Sequence, residues 1–325
     1  MTADSDDARW LSAAAAIAVR ARPLSRPNPA VGAIIVKDGI VVGRGWTQAG
    51  GRPHAEAVAL GQAGEAARGA TAYVTLEPCA HQSARGPCCT DLLIAAGVAR
   101  VVAGIGDPDP RTAGAGLARL EAAGMAAELA DHEESRKSLR GYLASKELGR
   151  PLVTLKLAMT ADGFIARADG TSKWITGGEA RAHAHLRRAM SDAILVGGGT
   201  LRADRPRLDV RLEGLEHRSP RRIALTRSDA PAGWDRISDP QMIGGLGDVQ
   251  YLFVEGGAGV AAAFLDAGLV DELLLYRAPV RFGDGLPAFR DPGPGGVPAG
   301  WRLCERRQLG SDTLEVYHRD PNSGA

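Results

Sequence analysis

The sequence predicts a protein of the α/β class with two domains. Its 325 residues are enough for two domains of ordinary size, each with its own core. Segments of the first half follow the order helix, hairpin, helix, strand, helix, strand, which is typical of an α/β layer sandwich. A new strand of the buried type begins directly after Gly149-Arg150-Pro151. We therefore predict domains over residues 1–149 and 150–325.

In the first half, predicted helices and strands alternate with turn signals. Residues 8–22 show Ala-rich helical periodicity that ends before Pro23, and residues 26–32 form a stiff loop because prolines restrict the backbone. Two strands flank Lys37-Asp38-Gly39, since Asp-Gly is a strong hairpin signal. The later predicted elements are a helix from His54 to about Gly64, strand 71–76, helix 91–96, strand 98–105, helix 116–123, strand 126–129 and a charged helix over 131–149.

The second half opens with a predicted strand over residues 152–158, which Lys156 interrupts. Residues 180–190 read as a helix. Two apolar strands, 193–196 and 250–255, each run into a glycine-rich turn. A strand that ends in glycines and opens a helix lets backbone N–H groups approach a pyrophosphate. Tight turns need glycine in any case, so these turns alone do not specify a nucleotide site.

Composition and charge exclude several classes of partner. A formal net charge of +1 provides no overall field for nucleic acid or an acidic membrane, so we expect small-molecule partners. No apolar run approaches the roughly 20 residues that span a bilayer. The N-terminal segment is acidic, and Arg20 and Arg22 cut its apolar stretch short, which argues against a secretory signal. Cysteines gathered in one loop fit a reducing cytoplasm, where we expect the protein to act.

One group of residues has the donor types of a zinc site that keeps one position open. The pattern H-x-E followed by P-C, found in zinc deaminases, matches His54, Glu56 and Cys79. Eight residues, instead of two, separate Cys79 from Cys88. Spacing leaves both Cys88 and Cys89 open as the third ligand, and we favour Cys88 because it repeats the Pro78-Cys79 arrangement. We predict zinc held by His54, Cys79 and Cys88.

The same pattern predicts a role for Glu56. A carboxylate beside the metal, but not bound to it, can take a proton from water and pass it to a ring nitrogen and then to departing ammonia. A His at a helix start is more often a capping or surface residue. Three of the four cysteines of the chain lie in this one Gly/Pro-rich loop, however, and a core function gives no reason for such clustering.

Five segments of the first half resemble the deaminase half of the bifunctional riboflavin-biosynthesis deaminase–reductase family. The resemblance extends over nearly all of residues 8–130, and the segments that carry it are Pro27-Asn28-Pro29-x-Val31-Gly32, His54-Ala55-Glu56, Thr75 to His81, Pro87-Cys88-Cys89 and Asp107-Pro108. The resemblance implies a cytidine-deaminase-like α/β/α sandwich and a diaminopyrimidinone ribosyl phosphate that loses its 2-amino group. It also implies that Asn28 and His81 contact the pyrimidine and Asp107 the ribose or phosphate side. Without it, a turn Asn, a His supporting a metal ligand and a turn Asp are the simpler interpretations.

The second half resembles the reductase half of the same family, through Lys156, Asp162-Gly163 and the segment from Ser172 to Thr176. This implies a dihydrofolate-reductase-like fold with NADPH as cofactor, and Lys156 and Glu255 nearest the ribose carbon that accepts hydride. The implied NADPH contacts are Ala158, Trp174, Thr200, Gly257, Ala258, Gly259, Val260, Ala261, Ala262 and Ala263. The implied ribosyl phosphate site contains Ser172, Arg188, Asp204, Leu208, Arg211 and Glu255.

Arg188 and Arg211 suit a phosphate, because guanidinium groups bind it in a bidentate fashion. Ordinary solvated surface residues are the alternative for each of them.

Several positions depart from the family pattern. In the cysteine loop the basic residue is shifted by one place, to Arg85, and Asp109 stands where the family commonly has Asn; a carboxylate there would repel a phosphate or alter a ribose contact. In the second half Arg205 replaces an acid and Val280 displaces a basic residue. The chain is also short between about residues 228 and 250. Either a trimmed fold holds the cofactor, or this half is partly disabled.

We therefore predict a cytoplasmic, bifunctional enzyme of the riboflavin pathway that acts on phosphoribosyl pyrimidines and uses zinc and NADPH. We expect a homo-oligomer, a dimer or a tetramer. Three alternatives stay open at this point. They are a deaminase whose second half is structural, a deaminase of bases in nucleic acid, which the charge disfavours, and a binding module that zinc only stabilises.

Overall fold

In the computed structural model, which describes residues 5–82, 85–172, 175–293 and 295–320, the chain divides into two compact units. They are Met1–Gly149 and Arg150–Ala325. Both contain a mixed sheet with helices, which confirms the predicted α/β class. In the described part of the chain, no helix combines the length and the apolar character needed to cross a membrane.

The first unit is built on a five-stranded sheet in the order β2-β1-β3-β4-β5. Its strands are β1 (Gly32–Lys37), β2 (Ile40–Trp46), β3 (Thr71–Val74), β4 (Arg100–Ala103) and β5 (Ala126–Leu129). The helices are α1 (Ser5–Ala18), α2 (Ala55–Ala63), α3 (Cys89–Ala96), α4 (Ala115–Ala122), α5 (Glu133–Ser138) and α6 (Arg140–Glu147). The predicted hairpin forms between β1 and β2, and Asp38 and Gly39 in its turn both have positive φ, 50° and 75°.

Side chains that alternate along β1 cover both faces of this sheet. Ile35 packs with residues of α2 and α3 in one core cluster, whereas Ile34 packs with Leu11 of α1 on the other face. Small and aliphatic side chains predominate in both layers, with Tyr142 in one and Tyr73 and Trp10 in the other. An ion pair between Arg100 on β4 and Asp7 on α1, 2.7 Å long, ties the outer helix to the sheet. The first unit is therefore a three-layer α/β/α sandwich.

The parallel part of this sheet determines where a site can form. β3, β4 and β5 run parallel, and residues directly after β3 and β4 emerge at the same edge. The segment after β3 leads to Cys79, and the segment after β4 leads to Asp107. Ligands bind in α/β sheets at the carboxyl ends of parallel strands, so this edge is the expected position of a site.

The second unit contains an eight-stranded sheet in the order β10-β9-β8-β11-β6-β12-β15-β14, parallel except for β15, which is antiparallel to both of its neighbours, β12 and β14. The main-sheet strands are β6 (Leu152–Thr160), β8 (Ala193–Gly197), β9 (Arg221–Leu225), β10 (Asp235–Ile237), β11 (Tyr251–Glu255), β12 (Glu272–Ala278), β14 (Trp301–Leu309) and β15 (Asp312–Arg319). A separate two-stranded sheet pairs β7 (Phe164–Ala166) with β13 (Leu286–Pro287). The helices are α7 (Gly178–Ala189), α8 (Gly198–Asp204) and α9 (Ala258–Asp266).

Several elements differ from the prediction. The expected helix over 8–22 ends at Ala18 and continues as the 3-10 turn Val19–Ala21. The expected charged helix over 131–149 is two helices, α5 and α6, which are interrupted at Leu139. In the segment that is short relative to the family, the chain still supplies β10 at the edge of the sheet and the 3-10 helix Pro240–Leu246. The trimmed segment therefore completes the parallel side of the sheet.

Candidate active sites

A histidine and two cysteines meet at the edge where β3 ends. His54 Nδ1 lies 3.2 Å from Cys89 Sγ and 3.6 Å from Cys79 Sγ, and the ligand atoms of all three lie within 4.8 Å of one another. Typical zinc–sulfur and zinc–nitrogen bonds in a tetrahedron place N and S atoms about 3.6 Å apart. These donors and distances therefore fit one zinc ion. The fourth ligand position would be left for a small molecule.

Two helix N-termini hold this cluster. His54 is the residue before α2, and Cys89 is the first residue of α3. The backbone N–H of Cys89 donates to Cys79 Sγ over 3.4 Å. A hydrogen bond from the Cys89 thiol, together with His54, lowers the pKa of Cys79 to about 4. Helix N-termini favour thiolates, so this environment presents a negatively charged sulfur, the form that binds metals.

The structure places the two neighbouring cysteines differently relative to the histidine. Cys88, which we favoured, precedes α3 and turns its Sγ to Thr90 Oγ1 at 3.1 Å, while Cys89 joins His54 and Cys79. The start of α3 determines which side chain faces the histidine. The geometry therefore favours Cys89 as the third candidate ligand, whereas the Pro-Cys arrangement of the sequence favours Cys88, which is buried in the same cluster.

Glu56 lies in the first turn of α2, two residues after His54, and its side chain is buried with 4 % exposure. Burial raises the pKa of Glu56, against the lowering effect of His54. The carboxylate lines the same cavity as His54 and Cys79 but is outside the group of candidate ligands. This position suits a proton carrier beside a metal.

A cavity of about 390 Å³ opens above the cluster, and the predicted contacts Asn28, His81 and Asp107 all line it. The side-chain amide nitrogen of Asn28 lies 3.2 Å from His54 Nε2. Asn28 is therefore in contact with the ring of the candidate ligand. His81 Nδ1 is buried and has no hydrogen-bond partner among the described residues, so it is available to a bound molecule.

Asp107 accepts a hydrogen bond of 2.7 Å from Tyr142 Oη, and burial raises the pKa of Asp107.

The cavity is also lined by residues that were not predicted from the sequence. Arg111 and Thr112 follow β4, whereas Tyr142 and Lys146 come from α6. No sequence pattern connects α6 with the cysteine loop, and only folding brings them together.

A buried glutamate stabilises the loop that carries Cys79 through hydrogen bonds to the backbone. Glu77, 4 % exposed, accepts four backbone N–H bonds, from Asp107, Gly114, Gly116 and Leu117, at 2.9 to 3.3 Å. Three of the four donors belong to the start of α4 and the residue before it. Glu77 therefore joins the metal loop to α4 and to the segment after β4.

In the second unit, a cavity of about 380 Å³ gathers many of the predicted residues. Those that line it are Lys156, Ala158, Ser172, Arg188, Thr200, Asp204, Leu208, Arg211, Glu255 and Gly257. Lys156 on β6 and Glu255 on β11 are partners in the parallel register, and Lys156 Nζ lies 3.9 Å from Glu255 Oε2. The two residues implied as catalytic are therefore neighbours on the sheet.

Arg188, which we expected to clamp a phosphate, is already paired. Its Nε and Nη2 donate to the two oxygens of Glu255 at 2.5 and 2.9 Å, and its Nη1 donates to the Asp209 carbonyl. Burial would raise the pKa of Glu255, but Lys156 and Arg188 outweigh burial and hold it below its ordinary value. Arg211 is more exposed than Arg188, and its Nε lies 3.6 Å from Asp209 Oδ1.

The segment that, by the resemblance, should contact NADPH lies at the start of α9, and its side chains point in different directions. Val260 and Ala261 are buried in the core, whereas Ala258, Gly259 and Ala262 line a different cavity, of about 640 Å³. Within the described residues, only Gly257 of this segment lines the cavity that contains Lys156. Ala263 lies in α9 and is half-buried. Trp174 lies outside the described residues.

Two family models match the chain. A model of the cytidine and deoxycytidylate deaminase zinc-binding region matches residues 4–105. A model of the RibD C-terminal domain matches residues 151–235 and 246–314. Together they confirm the implied fold, a cytidine-deaminase-like domain followed by a reductase domain.

Two relatives align with most of the chain. The chain is 36% identical to the riboflavin biosynthesis protein RibD of Haemophilus influenzae, over 96% of this chain and 97% of the relative. It is 39% identical to RibD of Escherichia coli K12, over 85% and 89% of the two chains.

Two solved structures superpose on nearly the whole chain. The first is the crystal structure of a diaminohydroxyphosphoribosylaminopyrimidine deaminase/5-amino-6-(5-phosphoribosylamino)uracil reductase from Thermotoga maritima, with a TM-score of 0.86, 30% identity and coverage of 96% and 98%. The second is RibD of Acinetobacter baumannii, with a TM-score of 0.85, 34% identity and the same coverage. The chain therefore belongs to the RibD family of riboflavin-biosynthesis enzymes, which join a zinc-dependent deaminase to a reductase.

Proposed function

We propose that this enzyme deaminates 2,5-diamino-6-(5-phosphoribosylamino)pyrimidin-4-one in its first unit and reduces the ribosyl chain of the product to ribityl in its second. The observation that carries this proposal is the cluster of His54, Cys79 and Cys89 beside buried Glu56, at the floor of a cavity of about 390 Å³. The substrate is that of the related enzyme from Thermotoga maritima, by its name.

In the deaminase site, His54, Cys79 and Cys89 would hold the zinc ion. Zinc, when bound, supplies the Lewis acidity that activates water at neutral pH. Glu56 takes the proton of the attacking water, delivers it to the ring nitrogen and then assists the departure of ammonia. Its buried position keeps the carboxylate away from bulk water. His81 offers its unpartnered Nδ1 to the pyrimidine, and Asn28 orients the His54 ring.

In the reductase site, Lys156 and Glu255 lie side by side on adjacent strands and face the cavity. NADPH, when bound, supplies the hydride. Lys156 and the Glu255 carboxylate orient the ribose carbon that accepts it, and Arg188 keeps Glu255 ionised and fixed. In this arrangement Arg188 acts through Glu255, and Arg211 is the more accessible cation for a phosphate.

Replacing Glu56 with Gln tests the deaminase assignment. We expect Glu56→Gln to keep about one zinc per chain, because Glu56 is not a ligand, and to slow ammonia release by about 10²–10⁴-fold. Ammonia is measured with a coupled assay on the diaminopyrimidinone substrate, and zinc by elemental analysis. Glu65→Gln, a substitution of a charged residue in the 3-10 turn that follows α2, is the matched control. A Glu56→Gln enzyme of normal rate would refute the proposal.

Location and assembly are part of the same proposal. The cluster of free cysteines in a metal site suits the reducing cytoplasm. We also propose a homo-oligomer, a dimer or a tetramer, which light scattering of the purified enzyme tests directly. A monomer at micromolar concentration would contradict the second statement.

A further inference from the structure

The residue that departs from the family pattern in the first unit, Asp109, is neutralised by two cations. Arg111 donates from Nε to Asp109 Oδ1 at 2.9 Å and from Nη2 to Oδ2 at 2.7 Å. Lys146 Nζ donates to Oδ2 at 3.0 Å. The Asp109 side chain is 8 % exposed, whereas those of Arg111 and Lys146 are 66 % and 37 % exposed. Two positive charges and one negative charge leave this group with a charge of +1.

A buried hydroxyl lies in the same turn. Thr112 is 1 % exposed, and its backbone N–H donates to the Asp109 carbonyl at 2.9 Å. Thr112 Oγ1 is buried, lines the cavity and makes no hydrogen bond within the described ranges of the chain. A buried hydroxyl without a partner costs free energy, so a bound group that accepts its hydrogen bond would be favoured.

The other arginines of the cavity lie at the cysteine loop, and the carboxylates of Glu77 and Asp107 have hydrogen-bond partners of their own. Arg52 donates to the Pro87 carbonyl and Arg85 to the Gly50 carbonyl, which ties both to the cysteine loop and its neighbour. Glu77 is saturated by four backbone N–H groups, and Asp107 accepts from Tyr142. The wall formed by Arg111, Thr112 and Lys146 therefore combines accessible positive charge with an unused hydroxyl donor.

We propose that Arg111, Thr112 and Lys146 form the subsite for the phosphate group of the deaminase substrate, with Asp109 as the positioning residue that holds the two cations together. This proposal rests on the deaminase function proposed above. Arg111 binds Asp109 through Nε and Nη2, so its Nη1 is the guanidinium nitrogen that points to a ligand role. A guanidinium N–H, an ammonium and a hydroxyl are donors of the kind that bind phosphate oxygens. Asp109 restrains two flexible side chains before the ligand arrives, so less conformational entropy is lost on binding.

The test compares the phosphorylated substrate with the same compound after phosphatase treatment. For Lys146→Met and for Arg111→Gln we expect kcat/KM for the phosphorylated substrate to fall about tenfold each, mainly through KM, since each removes one charge-assisted hydrogen bond. For Thr112→Val we expect a smaller fall in the same parameter. For the dephosphorylated compound, kcat/KM should stay unchanged in all three variants. Lys146→Arg should restore most of the loss.

Lys137→Met is the matched control, because Lys137 on α5 is an exposed lysine that pairs with Glu133. An equal loss with both compounds would show a structural role and overturn the proposal, as would unchanged kinetics with the phosphorylated substrate. A wild-type enzyme that releases no ammonia from either compound would instead refute the deaminase function.

Calorimetric titration with ribose 5-phosphate provides a readout without catalysis. The proposal requires that the variant combining Lys146→Met and Arg111→Gln loses a binding event that the wild-type enzyme shows. Retention of every binding event in that variant would overturn it.

Discussion

At the scale of single residues, the metal site depends on which of two adjacent cysteines faces His54. Cys88 and Cys89 have the same chemistry and both are buried, but consecutive residues at the start of a helix point in different directions. Cys89 Sγ lies 3.2 Å from His54 Nδ1, whereas Cys88 Sγ contacts Thr90. The orientation of α3 therefore decides which of two chemically equivalent thiols faces the histidine.

This difference predicts the zinc content of two variants. We expect Cys89→Ser to weaken zinc binding by more than about tenfold, because a thiolate ligand is lost, and Cys88→Ser to keep zinc. Elemental analysis after dialysis against a weak chelator measures both, and each variant serves as the control of the other. Loss of zinc in Cys88→Ser together with retention in Cys89→Ser would restore the ligand predicted from the sequence.

At the scale of elements, the metal loop is positioned by a helix that contributes no ligand. Glu77 accepts backbone N–H groups from the start of α4, an environment that favours a carboxylate. Close packing reinforces this junction, since a Cβ at Gly116 would lie 2.1 Å from the Pro78 carbonyl oxygen. The start of α4, the Pro78 carbonyl and the Glu77 carboxylate therefore fit only as one assembly, next to Cys79.

Replacing Glu77 with Gln should loosen this junction. The amide offers one acceptor instead of two and leaves buried N–H groups unpaired, so we expect local opening to become easier by about 3 kcal/mol. Hydrogen–deuterium exchange of residues 114–117 measures the change. Glu121→Gln, an exposed substitution on the same helix, is the control and should exchange like the wild type. Unchanged protection of residues 114–117 in Glu77→Gln would contradict this role.

At the scale of the whole molecule, each unit contains its own cavity with its own set of polar residues. The cavity with His54 and Glu56 belongs to the first unit, and the cavity with Lys156 and Glu255 belongs to the second. The sheet of each unit positions its own site: Cys79 follows the end of β3, whereas Glu255 ends β11 beside Lys156 in the middle of β6. The two proposed reactions should therefore be separable by single substitutions.

We expect Lys156→Met to reduce NADPH oxidation with the deaminated intermediate by about 10²-fold or more, because a charge next to the reacting carbon is lost. Ammonia release from the first substrate should be unaffected. Conversely, Glu56→Gln should leave NADPH oxidation unchanged when the intermediate is supplied. Absorbance at the nicotinamide band and the ammonia assay follow the two reactions in parallel. A wild-type protein that releases ammonia but never oxidises NADPH would support the alternative of a structural second half.

Much of the fold was accessible from the sequence because local patterns determine local structure. The Asp38-Gly39 turn with its two flanking strands and the glycine-ended strands β8 and β11 were all predicted. The sequence analysis assigned no strands to β12, β14 and β15, which pair with one another and with β6. The partners of β12 lie far away along the chain, so its pairing depends on contacts that a local pattern does not contain. β14 and β15 form a hairpin through Gly310-Ser311, a local feature that was missed.

The sequence by itself determined the chemistry of this protein. The residue types of the metal loop, Glu56 two places after His54, and the family motifs of both halves are all readable in order along the chain. Only the tertiary structure decided which cysteine faces His54, that Arg188 is bound to Glu255, and that Lys146 and Thr112 share a cavity with the metal site. The reason is physical: a side chain acquires a direction and neighbours only when its helix or strand is packed. The sequence specifies which donor groups are present, whereas the distances between the donor atoms are a property of the packed fold.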